Sequence, residues 1–241
     1  MNKELTFLDG VKACLPTVLG YVGIGIAAGV VGKASHLSFL EITLLSALVY
    51  AGAAQFIICG LLLLQSPISA IVTTTFLINS RHFLMSMATA PSFKKASILH
   101  NIGIGALLTD ESFAVAMNQI GNKKNINVMW MHGLNVTAYA TWILACLFGA
   151  IIGSWLPNPE MFGLDFALTA MFIGLLYLQL ISDKSKKIKT SLLVMATVML
   201  LVFLFMRFMT PELAVLSATL LGCLIGVILD KWPSAHTPSS R

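Results

Sequence analysis

Apolar residues along this chain come in long runs, interrupted at wide intervals by short charged or proline-bearing segments. A helix that crosses about 30 Å of hydrocarbon needs roughly 20 such residues. The uncharged stretch between Lys12 and Lys33 suits one helix of that kind. The stretch between Glu41 and Arg81 is too long for one. Gln65-Ser66-Pro67 divides it as a turn, because proline lacks a donor and restricts its predecessor. Lys94-Lys95, the run Gly121 to Asn125, Pro157-Asn158-Pro159 and the polar run Asp183 to Lys189 mark further boundaries. The pattern predicts an all-α polytopic membrane helix bundle of seven or eight transmembrane spans, forming one integral membrane domain over 1–241. The spans fall near 13–32, 41–64, 68–90, 98–118, 130–155, 163–182, 190–208 and 212–230.

Charge sets the expected orientation. With eight spans and the N-terminus inside, lysines and arginines divide ten to four in favour of the inner side. Both termini are therefore expected in the cytoplasm. Lys94 and Lys95 fall on the wrong side of this count. Either the bias tolerates them, or one segment, 68–90, is broken or re-entrant.

Composition agrees with the pattern. The chain is 57% hydrophobic and 10% charged, with a mean hydropathy of +0.88. A soluble domain carries roughly 25% charged residues, so a soluble enzyme, a disordered chain and a disulfide scaffold are excluded. The net charge of +5 reads as cytoplasmic loop charge, with no nucleic-acid partner implied. The cysteines, Cys14, Cys59, Cys146 and Cys223, all lie in apolar runs and lack ligand spacing. They read as small packing residues, with no disulfide and no metal site expected. No cleavable signal peptide is evident, since the first apolar run ends in Gly-Lys. There is no H-E-x-x-H, G-x-S-x-G or nucleotide fingerprint outside a span, so no enzyme activity and no cofactor are expected. The five histidines are scattered in sequence.

Gly25-x-x-x-Gly29, Gly149-x-x-x-Gly153 and Gly222-x-x-x-Gly226 fit the pattern for close helix contact, and Tyr50 to Phe56 is a second patch of small residues. These faces offer more close-packing surface than one chain need use, which points to a partner. Internal repeats are faint; no two segments align.

Ionisable groups within the spans carry the candidate chemistry, because charge at a helix centre costs roughly 2.5–3.5 kcal/mol on insertion scales. They are Arg81, Asp110 and Glu111, with His82 beside the first. Thr75, Asn79, His82, Ser86 and Thr89 form one polar stripe of a helix. Arg81 lies about 100° from His82 on that helix. On a continuous helix over 98–118, Asp110 shares a face with small residues and lines a path, and Glu111 is the expected partner of Arg81. Three readings remain: a structural ion pair, a site for a zwitterion, or a proton relay. A transporter, a channel and an accessory membrane subunit without coupled transport all remain compatible with these residues.

Tyr50-Ala51-Gly52-Ala53-Ala54-Gln55-Phe56, Asn79-Ser80-Arg81-His82 and Thr109-Asp110-Glu111-Ser112-Phe113 resemble the motifs of the AzlC family, the large subunits of bacterial branched-chain amino acid exporters. The similarity runs over roughly 5–230. It implies a multi-pass bacterial inner-membrane protein that exports hydrophobic amino acids, with a small AzlD-type membrane subunit as partner. The candidate substrate-binding or coupling residues are Gln55, Asn79, Arg81, His82, Asp110 and Glu111. Arg81 would take the substrate carboxylate, an acid its ammonium, and Asp110 or Glu111 an antiported proton.

Overall fold

The computed structural model describes residues 5–121, 126–156, 173, 177, 188–209 and 211–231. All regular structure among them is helical. The chain divides into two compact units, 1–169 and 170–241. Apart from residues 173 and 177, the expected span 163–182 lies outside the described residues, as do Lys123-Lys124, Pro157-Asn158-Pro159 and most of the polar run from Asp183.

In the first unit, α1 (Phe7–Ala34) and α7 (Val128–Trp155) are each 28 residues, long and apolar enough to cross a membrane. Thr6 and Asp9 close a capping box on α1, and Asn127 caps α7. The two helices pack in register and in the same direction: Gly10 lies against Trp130 and Leu134, Gly25 against Ala145, Gly29 against Cys146 and Ala150. In return Gly133 meets Phe7, Gly149 meets Ile26 and Gly153 meets Val30. Glycine on both faces lets the two backbones touch, which is how membrane helices gain attraction without a hydrophobic drive. The Gly25/Gly29 and Gly149/Gly153 motifs are thus consumed by each other inside the chain. Most of the Tyr50–Phe56 patch is buried as well. The expectation that these faces were left open for a partner is corrected: both are filled from within.

Between α1 and α7 the chain makes one long helix and two interrupted ones. Ser38 and Glu41 cap α2 (Phe39–Leu44), which runs into a π-turn at Leu45–Val49. The helix then stops at Tyr50, in the left-handed region at φ 43°, and extended Ala51; α3 (Gly52–Leu63) follows. The interruption doubles back. Ile42 touches Gly32 near the end of α1, whereas Tyr50 packs edge-on against Tyr139 at the middle of α7. Gln55, after the break, reaches back to Ser46 before it, at 3.1 Å. Residues this far apart in one straight helix could not meet, since each adds about 1.5 Å of rise. The pair α2–α3 is a hairpin whose tip lies halfway along α1 and α7.

Gln65, at φ 53°, and Pro67 form the expected turn into α4 (Ile68–Thr89), an uninterrupted helix of 22 residues. The notion that 68–90 is the broken segment is corrected; the interruptions fall on either side of it. The expected stripe is real. Ile68, Val72, Phe76 and Phe83 project outward while Thr75, Asn79 and His82 hold buried polar atoms. A 3₁₀ turn at Ala90–Phe93 leads to α5 (Ile98–Ala106), capped by Ser97.

The second interruption is at Leu107, Leu108 and Thr109, before α6 (Asp110–Gly121). His100 meets His132 in the second turn of α7, Asn135 reaches Ile104, and Thr109 meets Tyr21 at mid-height. So α5 climbs from the end where α7 begins to the midpoint, antiparallel to α4, whose Ser86 faces Gly105 and His82 faces Leu108. Helix α6 must then return. Only the link from Gly121 to Val128 joins it to α7, a reach of at most about 25 Å. Continuing onward would leave a gap of about 40 Å. The pair α5–α6 is a second hairpin, entering from the end opposite the first. Lys94 and Lys95 consequently lie at the end where α1 and α7 begin, opposite Lys33.

Many large apolar side chains are on the outside, and small or polar ones lie within beside a few large ones such as Trp130 and Leu134: Leu19 is 79% exposed, Ser46 and Asn135 0%. That distribution suits lipid, where the core gains from close backbone approach and satisfied polar groups.

The second unit is described by α8 (Ile188–Phe205) and α9 (Pro211–Lys231). Gly222 lies against Val198 and Gly226 against Val194, so the two run antiparallel. Buried Ala214 and Ala218 extend the same every-fourth-residue seam.

Candidate functional site

The tips of the two hairpins meet α1, α4 and α7 at mid-height. A helix break strands backbone carbonyls, and burying them unpaired costs about 1–3 kcal/mol each. Helix α7 supplies part of the answer at both breaks. Tyr139 donates its hydroxyl to the Ala47 carbonyl at 3.0 Å, and Asn135 Nδ2 donates to the Ile104 carbonyl at 3.1 Å. Trp142 Nε1 donates to Gln55 Oε1 at 2.8 Å, while Gln55 Nε2 donates to Ser46 Oγ, which itself donates to the Ile42 carbonyl. Gln55 is buried and bonded at both ends of its amide. The structure places it as a clamp across the first hairpin. Gly52 leaves room there for the Trp142 ring, from which an added Cβ would lie 2.9 Å.

Tyr50 holds the first tip in the left-handed region, which costs a bulky residue about 1–2 kcal/mol. Its ring packs edge-on against Tyr139 with centroids 4.8 Å apart, and its hydroxyl finds no hydrogen-bond partner.

At the second tip, Thr109 and Ser112 cap α6 reciprocally: Thr109 N donates to Ser112 Oγ at 2.9 Å and Ser112 N to Thr109 Oγ1 at 3.3 Å. Asp110 and Glu111 sit in the first turn, where the positive pole of the helix favours them. Because the helix starts here, they diverge. Asp110 Oδ2 pairs with Arg81 Nη2 at 2.8 Å, each side chain about a third exposed at 33% and 32%. Glu111 Oε2 accepts from the Tyr21 hydroxyl at 3.0 Å, and that hydroxyl also bonds Thr109 Oγ1. The expected partnership of Glu111 with Arg81 is therefore corrected to Asp110. The wheel drawn through a continuous 98–118 helix failed because the helix restarts at residue 110.

His82 Nδ1 lies 3.1 Å from the Leu108 carbonyl. A carbonyl only accepts, so Nδ1 carries a hydrogen and, in the neutral ring, Nε2 is an acceptor. Nε2 has no partner. Neither do Thr75 Oγ1, Asn79 Oδ1 and Arg81 Nε. All four atoms belong to α4, three of them on its polar stripe. The structure thus joins Arg81, His82 and Asp110 at the second tip, places Asn79 one turn along the same helix, and sets Gln55 and Glu111 in separate hydrogen-bond networks.

Sequence reasoning missed Tyr21, Asn135, Tyr139 and Trp142. Polar atoms inside long apolar runs were the available signal for all four. It also took the histidines as scattered, whereas His100 Nδ1 and His132 Nε2 meet at 3.0 Å.

The sequence profile of the AzlC family, described as AzlC protein, matches residues 16–156. This chain belongs to the AzlC family. The matched region holds both hairpins, α4, α7 and most of α1. Among curated relatives, the inner membrane protein YgaZ of Escherichia coli is 29% identical, over 95% of this chain and 93% of its own length. An uncharacterized membrane protein of Archaeoglobus fulgidus is 32% identical over 73% of this chain and 77% of its own. The branched-chain amino acid transport protein AzlC of Bacillus subtilis is 26% identical over 76% and 73%. No solved structure shows a significant match. The family and the inside-out distribution of apolar residues agree that the chain is a helical membrane protein.

Proposed function

We propose that this protein exports branched-chain or other hydrophobic amino acids across the bacterial inner membrane by proton antiport. The observation that carries the reading is the row of buried, unpartnered polar atoms on α4, Thr75 Oγ1, Asn79 Oδ1, Arg81 Nε and His82 Nε2, beside the tips of two opposed hairpins. Buried polar groups are nearly always satisfied in native proteins. Unpartnered ones in a row need water or a polar cargo to complete them. Arg81 has one edge committed to Asp110 and Nε free, so a substrate carboxylate binds it without breaking the ion pair. The branched-chain substrate named for the Bacillus subtilis relative supports the cargo class. No enzymatic role is proposed.

In this reading the two hairpins are re-entrant and α1, α4, α7, 163–182, α8 and α9 cross the membrane. An even number of crossings keeps both termini in the cytoplasm. It also returns Lys94 and Lys95 to the cytoplasmic side, which removes the exception to the charge bias. The family resemblance supports a small AzlD-type membrane subunit as partner. Its docking face lies elsewhere than the glycine seams, which are filled.

The test is uptake of radiolabelled valine into everted vesicles, with and without an imposed pH gradient and with and without the small subunit. Accumulation above the external level under the gradient is expected. Equilibration alone would mean a channel or an accessory role and would overturn the proposal. Labelling of a cysteine at position 241 from outside intact cells would overturn the orientation.

A further inference from the structure

We propose that Glu111, with the hydroxyls of Tyr21, Thr109 and Tyr50, is the binding site of the monovalent cation that drives transport, and that the Arg81–Asp110 pair is not. The inference rests on the transport reading above and assigns one of its two acids.

Two carboxylates stand next to each other at the second tip, but their surroundings differ in kind. Asp110 is neutralised by Arg81. An arginine keeps its charge at any physiological pH, so this pair has no state in which the acid is short of a cation. It is a latch that ties the tip to α4. Glu111 faces α1 instead. Its Oε2 accepts from Tyr21, and Tyr21 is joined to Thr109, whose hydroxyl is held in the cap with Ser112. Among the described residues no cationic side chain lies within ion-pair distance of Glu111.

The second observation is Tyr50. Tyr50 is 6% exposed, and its hydroxyl, which lies beside Tyr21, makes no hydrogen bond of good geometry, while its ring packs edge-on against Tyr139 and its backbone is left-handed. The ionisable groups around it are Glu111, Cys14, Tyr21 and Tyr139. From α1 the site is faced by Tyr21 and Cys14, from the first tip by Tyr50, from α7 by Tyr139, and from its own helix by Asp110. One carboxylate and the hydroxyls of Tyr21 and Thr109 are therefore joined, with Tyr50 beside Tyr21, all hard oxygen ligands and none cationic. That donor set suits a proton or Na⁺. It also bridges both hairpin tips and α1, so loading the site changes the contact between elements that must move for transport.

Coupling is read by comparing driven accumulation with counterflow exchange of labelled for unlabelled valine, which needs no net cation movement. The whole chain is used in everted vesicles, under an imposed pH gradient or an imposed Na⁺ gradient. One pH unit supports about tenfold accumulation at one proton per substrate. Glu111→Gln is expected to retain counterflow and lose accumulation, down to the external level. Asp110→Asn is expected to keep accumulation in proportion to its counterflow. Tyr50→Phe and Tyr21→Phe, which keep the rings, are expected to shift the pH or Na⁺ dependence of the driven rate and not its counterflow. The phenylalanine variants decide the matter if Glu111→Gln does not fold. Accumulation by Glu111→Gln in proportion to its counterflow, selective loss of coupling in Asp110→Asn, or phenylalanine variants with unchanged cation dependence would each overturn the proposal. Drive by Na⁺ and not by protons, lost in Glu111→Gln, would support this site while removing proton antiport. A wild type that only equilibrates valine refutes both.

Discussion

Replacing Gly29 with alanine tests how the bundle is held together. Gly29 lies on α1 where a Cβ would come within 2.6 Å of the Ala150 backbone nitrogen and closer still to the Cys146 carbonyl oxygen. Both atoms are backbone of α7 and cannot swing aside. The helices must part by about 1 Å to restore van der Waals distance, and a gap of that size forfeits a quarter to a half of each contact along the seam. The seam is long: Gly10, Gly25 and Gly29 of α1 and Gly133, Gly149 and Gly153 of α7 each lie against residues of the other helix. Overpacking costs roughly 1–3 kcal/mol, against which alanine returns about 1 kcal/mol of helix propensity. A net loss of up to about 2 kcal/mol is expected. Gly20 and Gly23 on the same helix have nothing within 4 Å, so alanine there should be neutral or stabilising by up to about 1 kcal/mol. The measurement is the thermal unfolding of the full chain in detergent for the three single variants, with retention of monodisperse protein after heating. A Gly29→Ala variant as stable as Gly23→Ala would refute the packing described for α1 and α7.

Cysteine at Gln65 is expected to react with an impermeant reagent from one face of the membrane and cysteine at Ser92 from the other; reaction of both from one face would refute the opposed hairpins. Tyr139→Phe and Asn135→Leu each leave a carbonyl at a hairpin break unpaired, and each should lower the unfolding midpoint by an amount equivalent to about 1–3 kcal/mol. For Arg81→Ala and Asp110→Asn, a double-mutant cycle on stability should give a coupling of about 1–3 kcal/mol, between an exposed pair and a fully buried one, since each side chain is about a third exposed. Additive losses would show that the pair is not formed in the folded protein.

The sequence by itself determined the class of molecule and several of its parts. Long uncharged runs can only be helices in lipid, because every backbone polar group there must be satisfied within its own segment. The turn at Gln65–Pro67 and the polar face of α4 were legible for the same reason: proline and a repeat of 3.6 residues act locally. The acid and the arginine were legible as a group, since charge within a span is costly enough to need a purpose. What the tertiary structure decided was direction and partnership. Hydropathy counts residues along a helix and is blind to a break that folds the chain back, so each hairpin reads as one continuous helix. Those breaks are stable because Tyr139, Asn135, Trp142 and His82, distant in sequence, occupy the polar groups they expose or brace the tip beside them. The restart of α6 at Asp110 then turned one carboxylate towards α4 and the other towards α1. Each glycine motif likewise announced a close contact but not its mate, because the seam that fills it is set by which helices lie side by side and in which direction they run.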